Sequence, residues 1–183
     1  KKNLTLSLHS PTVNRKIKDC KIIRNNHFKS HREIIYHSYK DAPFYQMIMP
    51  LVEEIYSFTN DSVSEFNIHL VKKICKIIGV NAKFLKSSND FSIRYVNAEE
   101  YLLNILKDIK AKNYYAPKTG IELKLFDVSY FKKKKINVYK QNYKPVIYNR
   151  TNFIPNLSIL DLLFHDFENA LQVIRSGRNW EKM

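Results

Sequence analysis

The chain has 183 residues, 44% of them apolar and 13% aromatic, and 31 Lys and Arg against 17 Asp and Glu give a net charge of +14. Apolar content of this size over this length supports a sizeable core and excludes disorder as the main state. No apolar run approaches the roughly 20 residues of a membrane-spanning helix.

Residues 4–8 alternate, with Leu4, Leu6 and Leu8 on one side of Thr5 and Ser7, which predicts a half-buried strand. A second strand is expected over 17–23, and residues 10–16 read as the turn of an antiparallel hairpin. His27, His31, Ile35 and Tyr39 then recur at four-residue spacing and share one face of a helix over 28–39. Asp41, Ala42 and Pro43 break it. Pro43 suits the first turn of the next helix, whose apolar stripe is Phe44, Met47, Ile48, Leu51, Val52 and Ile55.

Ser62 and Glu65 form a capping box for a helix that runs to Ile78, with Gly79 as its C-terminal stop. A short strand is expected over 80–85. Asn97, followed by Glu99 and Glu100, opens a helix that ends near Ala111. A strand over 113–116 leads to a second capping box, Thr119 to Glu122, for one helix that closes in the lysine run 132–135. Beyond it come a strand over 136–139, an irregular loop over 144–155, a helix capped by Ser158 and a last helix over 166–174 that stops at Gly177.

Strand and helix alternate after residue 80, which implies an α/β fold: a single domain, 1–183, with a small, partly parallel sheet flanked by helices. The ligand site of such a sheet is expected at its C-terminal strand ends.

Two stretches carry a resemblance. Residues 31–45, His-Arg-Glu-Ile-Ile-Tyr-His-Ser-Tyr-Lys-Asp-Ala-Pro-Phe-Tyr, hold a histidine, a tyrosine eight residues on, and a Lys-x-Ala-Pro-aromatic ending. Residues 153–164, Phe-Ile-Pro-Asn-Leu-Ser-Ile-Leu-Asp-Leu-Leu-Phe, form a C-terminal signature. Together they resemble the WbqC-like proteins of bacterial surface-polysaccharide gene clusters, over about residues 4–176, with Asn67, Gly79, Ser87 and Ser88 at intermediate positions. Family members open with a Gln-Pro-x-Tyr-x-Pro-Trp-like segment that would precede Lys1, so an N-terminal strand and loop are expected to be missing here. Arg150 stands where the family has a glutamine, the glycine-rich turn is reduced to residues 115–120, and His165, Asp166 and Phe167 replace an Asn-x-Gly-like ending.

The resemblance implies a cytoplasmic protein that takes part in O-antigen or capsule synthesis; a place at the inner face of the membrane is a further expectation, from the lysine run 132–135. Its most attractive activity is acyl or aminoacyl transfer, glycyl for example, to a nucleotide-linked amino sugar. The partners are then that nucleotide sugar and an acyl or aminoacyl donor. No cofactor is named by the sequence.

His31 is the leading catalytic residue, since an imidazole titrates near neutrality and can take a proton from an attacking amine; packing against the next helix with a hydrogen bond to a carbonyl explains it equally. Asp161 is the second catalytic candidate through the C-terminal signature. It and Ser158 are also fully explained as helix-capping residues, or as flanking a helix N-terminus that holds a phosphate or carboxylate. His27 and Tyr39 share the His31 face and are read, with Asn67, as substrate contacts. Ser87, Ser88 and Lys118 follow expected strands and are candidates for a diphosphate, and Tyr148 and Arg150 for stacking and charge against a nucleotide. Ordinary polar loops account for these five as well.

Cys20 and Cys75 lie far apart without Cys-x-x-Cys or Cys/His spacing, which argues against a zinc site and for a reducing compartment. His27 and His31, at i and i+4, could share a metal but are more simply a helical face, so no metal is expected.

Two rivals remain. The charge of +14 would suit a non-catalytic nucleic-acid-binding domain, although no helix-turn-helix, RRM or zinc-finger signature points to a specific nucleic acid. A scaffold for polysaccharide enzymes, touching anionic lipid through residues 132–135, is the other. Lysine-rich composition from adenine- and thymine-rich codons accounts for the charge without any function.

Overall fold

The computed structural model describes residues 2–9, 15–24 and 27–183. In chain order it contains helices α1 (His27–Tyr39), α2 (Tyr45–Tyr56), α3 (Val63–Ile77) and α4 (Ala98–Asp108), strand β1 (Asn113–Pro117), helices α5 (Lys118–Glu122) and α6 (Val128–Lys133), strand β2 (Asn137–Gln141), helices α7 (Ile159–Asp166) and α8 (Ala170–Ser176), and strand β3 (Trp180–Lys182). The fold is α/β with a small mixed sheet. It divides into two compact units, one of residues 1–81 and 147–173, the other of residues 82–146 and 174–183.

The first unit is helical. Its capping residues work as their chemistry dictates: Ser62 Oγ accepts from the Glu65 amide at 3.4 Å, and the Ser62 amide donates to Asn60 Oδ1 at 2.9 Å. The φ of +74° at Gly79 ends the chain segment after α3 in the left-handed region that glycine enters without strain. On α2, Ile48, Leu51, Val52 and Ile55 are buried, whereas Met47 is 53% exposed and off the stripe. Ile22, Phe28, Leu51, Ile55 and Phe66 form one core cluster, with Phe28 edge-on to Tyr56.

The expected N-terminal hairpin is reduced to single bridges, Leu8 with Ile22 and Lys21 with Ser62, both antiparallel. The reason is that neighbouring residues divide between two partners: Ile22 answers Leu8, and Lys21 answers the start of α3. Residues 17–19 form a 3-10 turn instead of strand. The turn expected over 10–16 falls, at 10–14, outside the described residues.

In the second unit β1 and β2 pair in parallel, from Asn113 opposite Asn137 to Pro117 opposite Gln141, and β3 joins β2 antiparallel with Tyr139 opposite Lys182. Ala116, Val138, Phe131, Leu103, Leu106 and Ile136 bury the inner sheet face against α4 and α6. The strand expected over 80–85 is irregular, and β3 was not expected from the sequence. The single helix expected after Thr119 is two, because Lys124 takes a left-handed φ of 50° and Asp127 Oδ1 starts a new helix by accepting from the Ser129 amide at 2.8 Å. Thr119 lies inside α5, whose N-cap is Pro117.

Candidate functional site

Residues 147–157 run without regular structure before α7, and two carboxylates of α7 pin this loop. Tyr148 and Arg150 flank a bend at Asn149, and both side chains reach Asp161. The Tyr148 hydroxyl donates to Asp161 Oδ2 at 2.5 Å, and Arg150 Nε lies 3.0 Å from the same oxygen. Between them the Asn149 amide donates to Asp166 Oδ2 at 3.2 Å, and Asn169 Nδ2 holds the other oxygen of Asp166 at 2.8 Å. Arg150 Nη1 donates to the carbonyl of Asn152, which the left-handed φ of 55° at Asn152 helps to present.

Asp161 is the hub of this arrangement and is fully buried. Its Oδ1 has no hydrogen-bond partner; His165 Nδ1 lies 3.9 Å from it and donates to the Asp161 carbonyl at 2.9 Å. Tyr39 stacks on Phe164 at 4.4 Å between ring centres. Burial, followed by the Asp161 charge and hydrogen bonding to it, pushes the Tyr39 hydroxyl up to about 12. Burial and the hydrogen bond to Asp161 raise Tyr148 still further. Both hydroxyls are therefore neutral donors across the physiological range.

A cavity of about 770 Å³ opens beside this hub, within the ~300–1,000 Å³ typical of small-molecule sites. Arg150, Asp161, Tyr39, Ser38 and Ser158 line it, together with Lys2 and the segment Asn3 to Thr5. Ile34, Ile35, Ile154, Leu157 and Leu160 supply apolar wall. Ser158 Oγ caps α7 by accepting from the Leu160 amide at 3.3 Å. The site thus offers one locked guanidinium, a second cation, several hydroxyls and a carboxylate oxygen without a donor.

His31 is buried behind this wall. Its Nε2 lies 3.0 Å from the Thr5 carbonyl and its Nδ1 3.2 Å from the Tyr56 hydroxyl, so both ring nitrogens are engaged. The contact to Thr5 ties α1 to the segment that lines the cavity. His27 Nε2 meets Ser7 Oγ at 2.8 Å. Asn67 is exposed on α3.

Of the residues singled out from sequence, Tyr39, Arg150, Ser158 and Asp161 line the cavity, and Tyr148 is tied to it through its hydrogen bond to Asp161. Ser87, Ser88 and Lys118 belong to the second unit, where Ser88 bonds Asn89 and Lys118 pairs with Glu122 at 3.6 Å. Asp166, Ser38 and Lys2 were missed. Asp166 had a readable signal, a second acidic residue on the helix that carries Asp161; Lys2 and Ser38 had none.

Among the described residues no group of three or more His, Cys, Asp and Glu side chains is placed to hold a metal ion. Cys20 and Cys75 are both free thiols. No helix among the described residues is long and apolar enough to cross a membrane. Comparison with known proteins gives one match: the model of the WbqC-like protein family covers residues 1–173. No curated protein and no solved structure matches the chain.

Proposed function

Because the chain belongs to the WbqC-like protein family, we propose that it is a transferase of bacterial surface-polysaccharide synthesis, which moves an acyl or aminoacyl group onto the amine of a nucleotide-linked amino sugar. The observation that carries this reading is the cavity beside Asp161, where a buried carboxylate oxygen lacks a donor and an arginine ion-paired with its other oxygen lines the wall, its own Nε without a hydrogen-bond partner. Arg150 and Lys2 take the anionic part of a substrate, and an arginine fixed on both sides loses little freedom on doing so. Ser38 and Ser158 meet sugar hydroxyls.

Asp161 divides its work between its oxygens. Oδ2 positions Arg150 and Tyr148. Oδ1 accepts the proton that the sugar amine releases as its nitrogen bonds the acyl carbon and the donor's leaving group departs. Tyr39, whose hydroxyl bonds Asp161, holds that carboxylate in place at the same wall. In this scheme His31 positions the Thr5 segment and the reacting atoms stay away from its ring. The site lies in the cytoplasm, where nucleotide sugars are made.

The test uses the full chain with UDP-glucosamine as acceptor and an activated donor, acetyl-CoA or glycyl-adenylate, whose coenzyme A or AMP is the leaving group. UDP-glucosamine raises the melting temperature, and Arg150→Gln abolishes that shift. Asp161→Asn keeps the shift and lowers turnover by about 10²–10⁴-fold. No shift with any nucleotide sugar or donor, or wild-type turnover in Asp161→Asn, overturns the proposal.

A further inference from the structure

The positive charge is unevenly shared. The second unit, residues 82–146 and 174–183, holds 17 Lys and Arg against 7 Asp and Glu, so it carries +10 of the +14. A uniform codon bias would have spread the excess along the chain.

The same unit leaves one sheet face open. Strand alternation puts Asn113, Tyr115 and Pro117 of β1, Asn137, Tyr139 and Gln141 of β2, and Trp180 and Lys182 of β3 on that face, opposite the buried Ala116 and Val138. Tyr115 stacks on Tyr139, ring centres 5.0 Å apart, and Trp180 stands edge-on to Tyr115 at 4.8 Å. Tyr115 is 52% and Trp180 37% exposed. Three adjoining aromatic rings stand on this face, Tyr115 against Tyr139 and Trp180 at 63° to Tyr115, and the sheet fixes their positions before any ligand arrives.

We propose that this face binds an acidic sugar, with a pyranose ring packed on the Trp180 indole, its edge against Tyr115, and its carboxylate meeting Lys182. The choice of a sugar rests on the polysaccharide reading above; the choice of this face does not. Three features of the face favour a sugar over a nucleic acid. The weakly positive C–H hydrogens on one side of a pyranose meet the negative face of an aromatic ring. Asn113, Asn137 and Gln141 supply amides that both donate and accept, as a hydroxyl-rich ligand requires. And Lys182 is the one cation among the described strand residues of this face: Lys140, its neighbour in the sheet, points to the other side and pairs with Glu181 at 2.8 Å. One cation suits one carboxylate, whereas a polyphosphate chain would call for several. The surplus charge of the whole unit draws acidic sugars in preference to neutral ones.

Trp180 is the sole tryptophan of the chain, so its emission reports on the platform directly. The full chain is titrated with oligogalacturonate, with a neutral cello-oligosaccharide and with oligothymidylate. Oligogalacturonate changes the emission saturably and more tightly than the neutral sugar. Tyr115→Ala weakens that binding about tenfold, and Lys182→Gln brings oligogalacturonate down to the level of the neutral sugar. If Tyr115→Ala proves unfolded by circular dichroism, the exposed Lys182→Gln carries the decision. No emission response to either sugar, an acidic preference that survives Lys182→Gln, or a response to oligothymidylate alone overturns the proposal. A silent Trp180 beside an intact thermal shift with UDP-glucosamine removes the platform only; the reverse result removes the transferase reading only.

Discussion

His31 shows how a residue type suited to catalysis can be committed elsewhere. A carbonyl only accepts, so Nε2 donates to Thr5; in the neutral ring, which burial favours, Nδ1 accepts from the Tyr56 hydroxyl. Burial lowers its pKa from 6.5, the Thr5 carbonyl opposes this, and the neighbouring His27 adds to the lowering. The unfolded chain therefore binds a proton that the folded chain resists. The resulting stability is complete above about pH 6.5 and is lost as pH falls below it. Melting temperature measured from about pH 7.5 down to about pH 5.5 should fall further in the wild type than in His31→Gln, which cannot titrate. Equal slopes would mean that the ring is not held neutral. A general base at this position would also have had to leave one of its two partners, and nothing in the residues 27–39 announced those partners: Thr5 and Tyr56 lie in other segments.

Among the elements, the helices capped by Ser62, Asn97 and Ser158 were legible because a cap is a local event, one oxygen meeting an amide two or three residues on. The strand at 80–85 and the hairpin were misread because alternation describes what a strand looks like without supplying a partner, and β3 was missed because its three residues are all exposed and carry no apolar alternation. Gly177 illustrates the same limit. It reads as a helix stop, yet a Cβ built there would lie 2.5 Å from the Tyr143 ring and 2.6 Å from the Lys144 carbonyl. The chain needs this closeness, since the Lys144 amide donates to Gly177 and the Asn142 amide to Asn179, bonds that lead β3 onto β2. Gly177→Ala should destabilise the protein by about 1–3 kcal/mol, seen as a lower urea midpoint. Gly79→Ala separates the two effects, because its Cβ would meet nothing within 4 Å and only the positive φ of 74° is strained; about 1–2 kcal/mol is expected there.

For the whole molecule, the site was half legible because it is assembled from distant segments. The C-terminal signature delivered Ser158 and Asp161, and the loop before it delivered Tyr148 and Arg150, but the cavity lies in the helical unit rather than at the sheet's strand ends. Charge was legible as a total and not as a distribution. Part of the second unit's excess sits in Lys132, Lys133, Lys134 and Lys135, all exposed at the end of α6. The helix dipole explains why lysines are tolerated there, and Lys134 also lies 5.8 Å from the Tyr130 ring centre. Neither contact hides four adjacent ammonium groups from a negative surface. A polybasic run gains about 1 kcal/mol per lysine beside anionic lipid as an upper bound, which converts to between tenfold and about a thousandfold in partitioning for four. The chain should therefore co-sediment with vesicles containing phosphatidylglycerol and not with pure phosphatidylcholine. Raising the salt to about 0.5 M should release it, since the Debye length then falls well below 10 Å. Replacing all four lysines by glutamine should weaken the binding at least tenfold while the Trp180 response to oligogalacturonate is retained. Binding that ignores salt, or that survives the fourfold substitution, would mean that this end of α6 does not face the membrane.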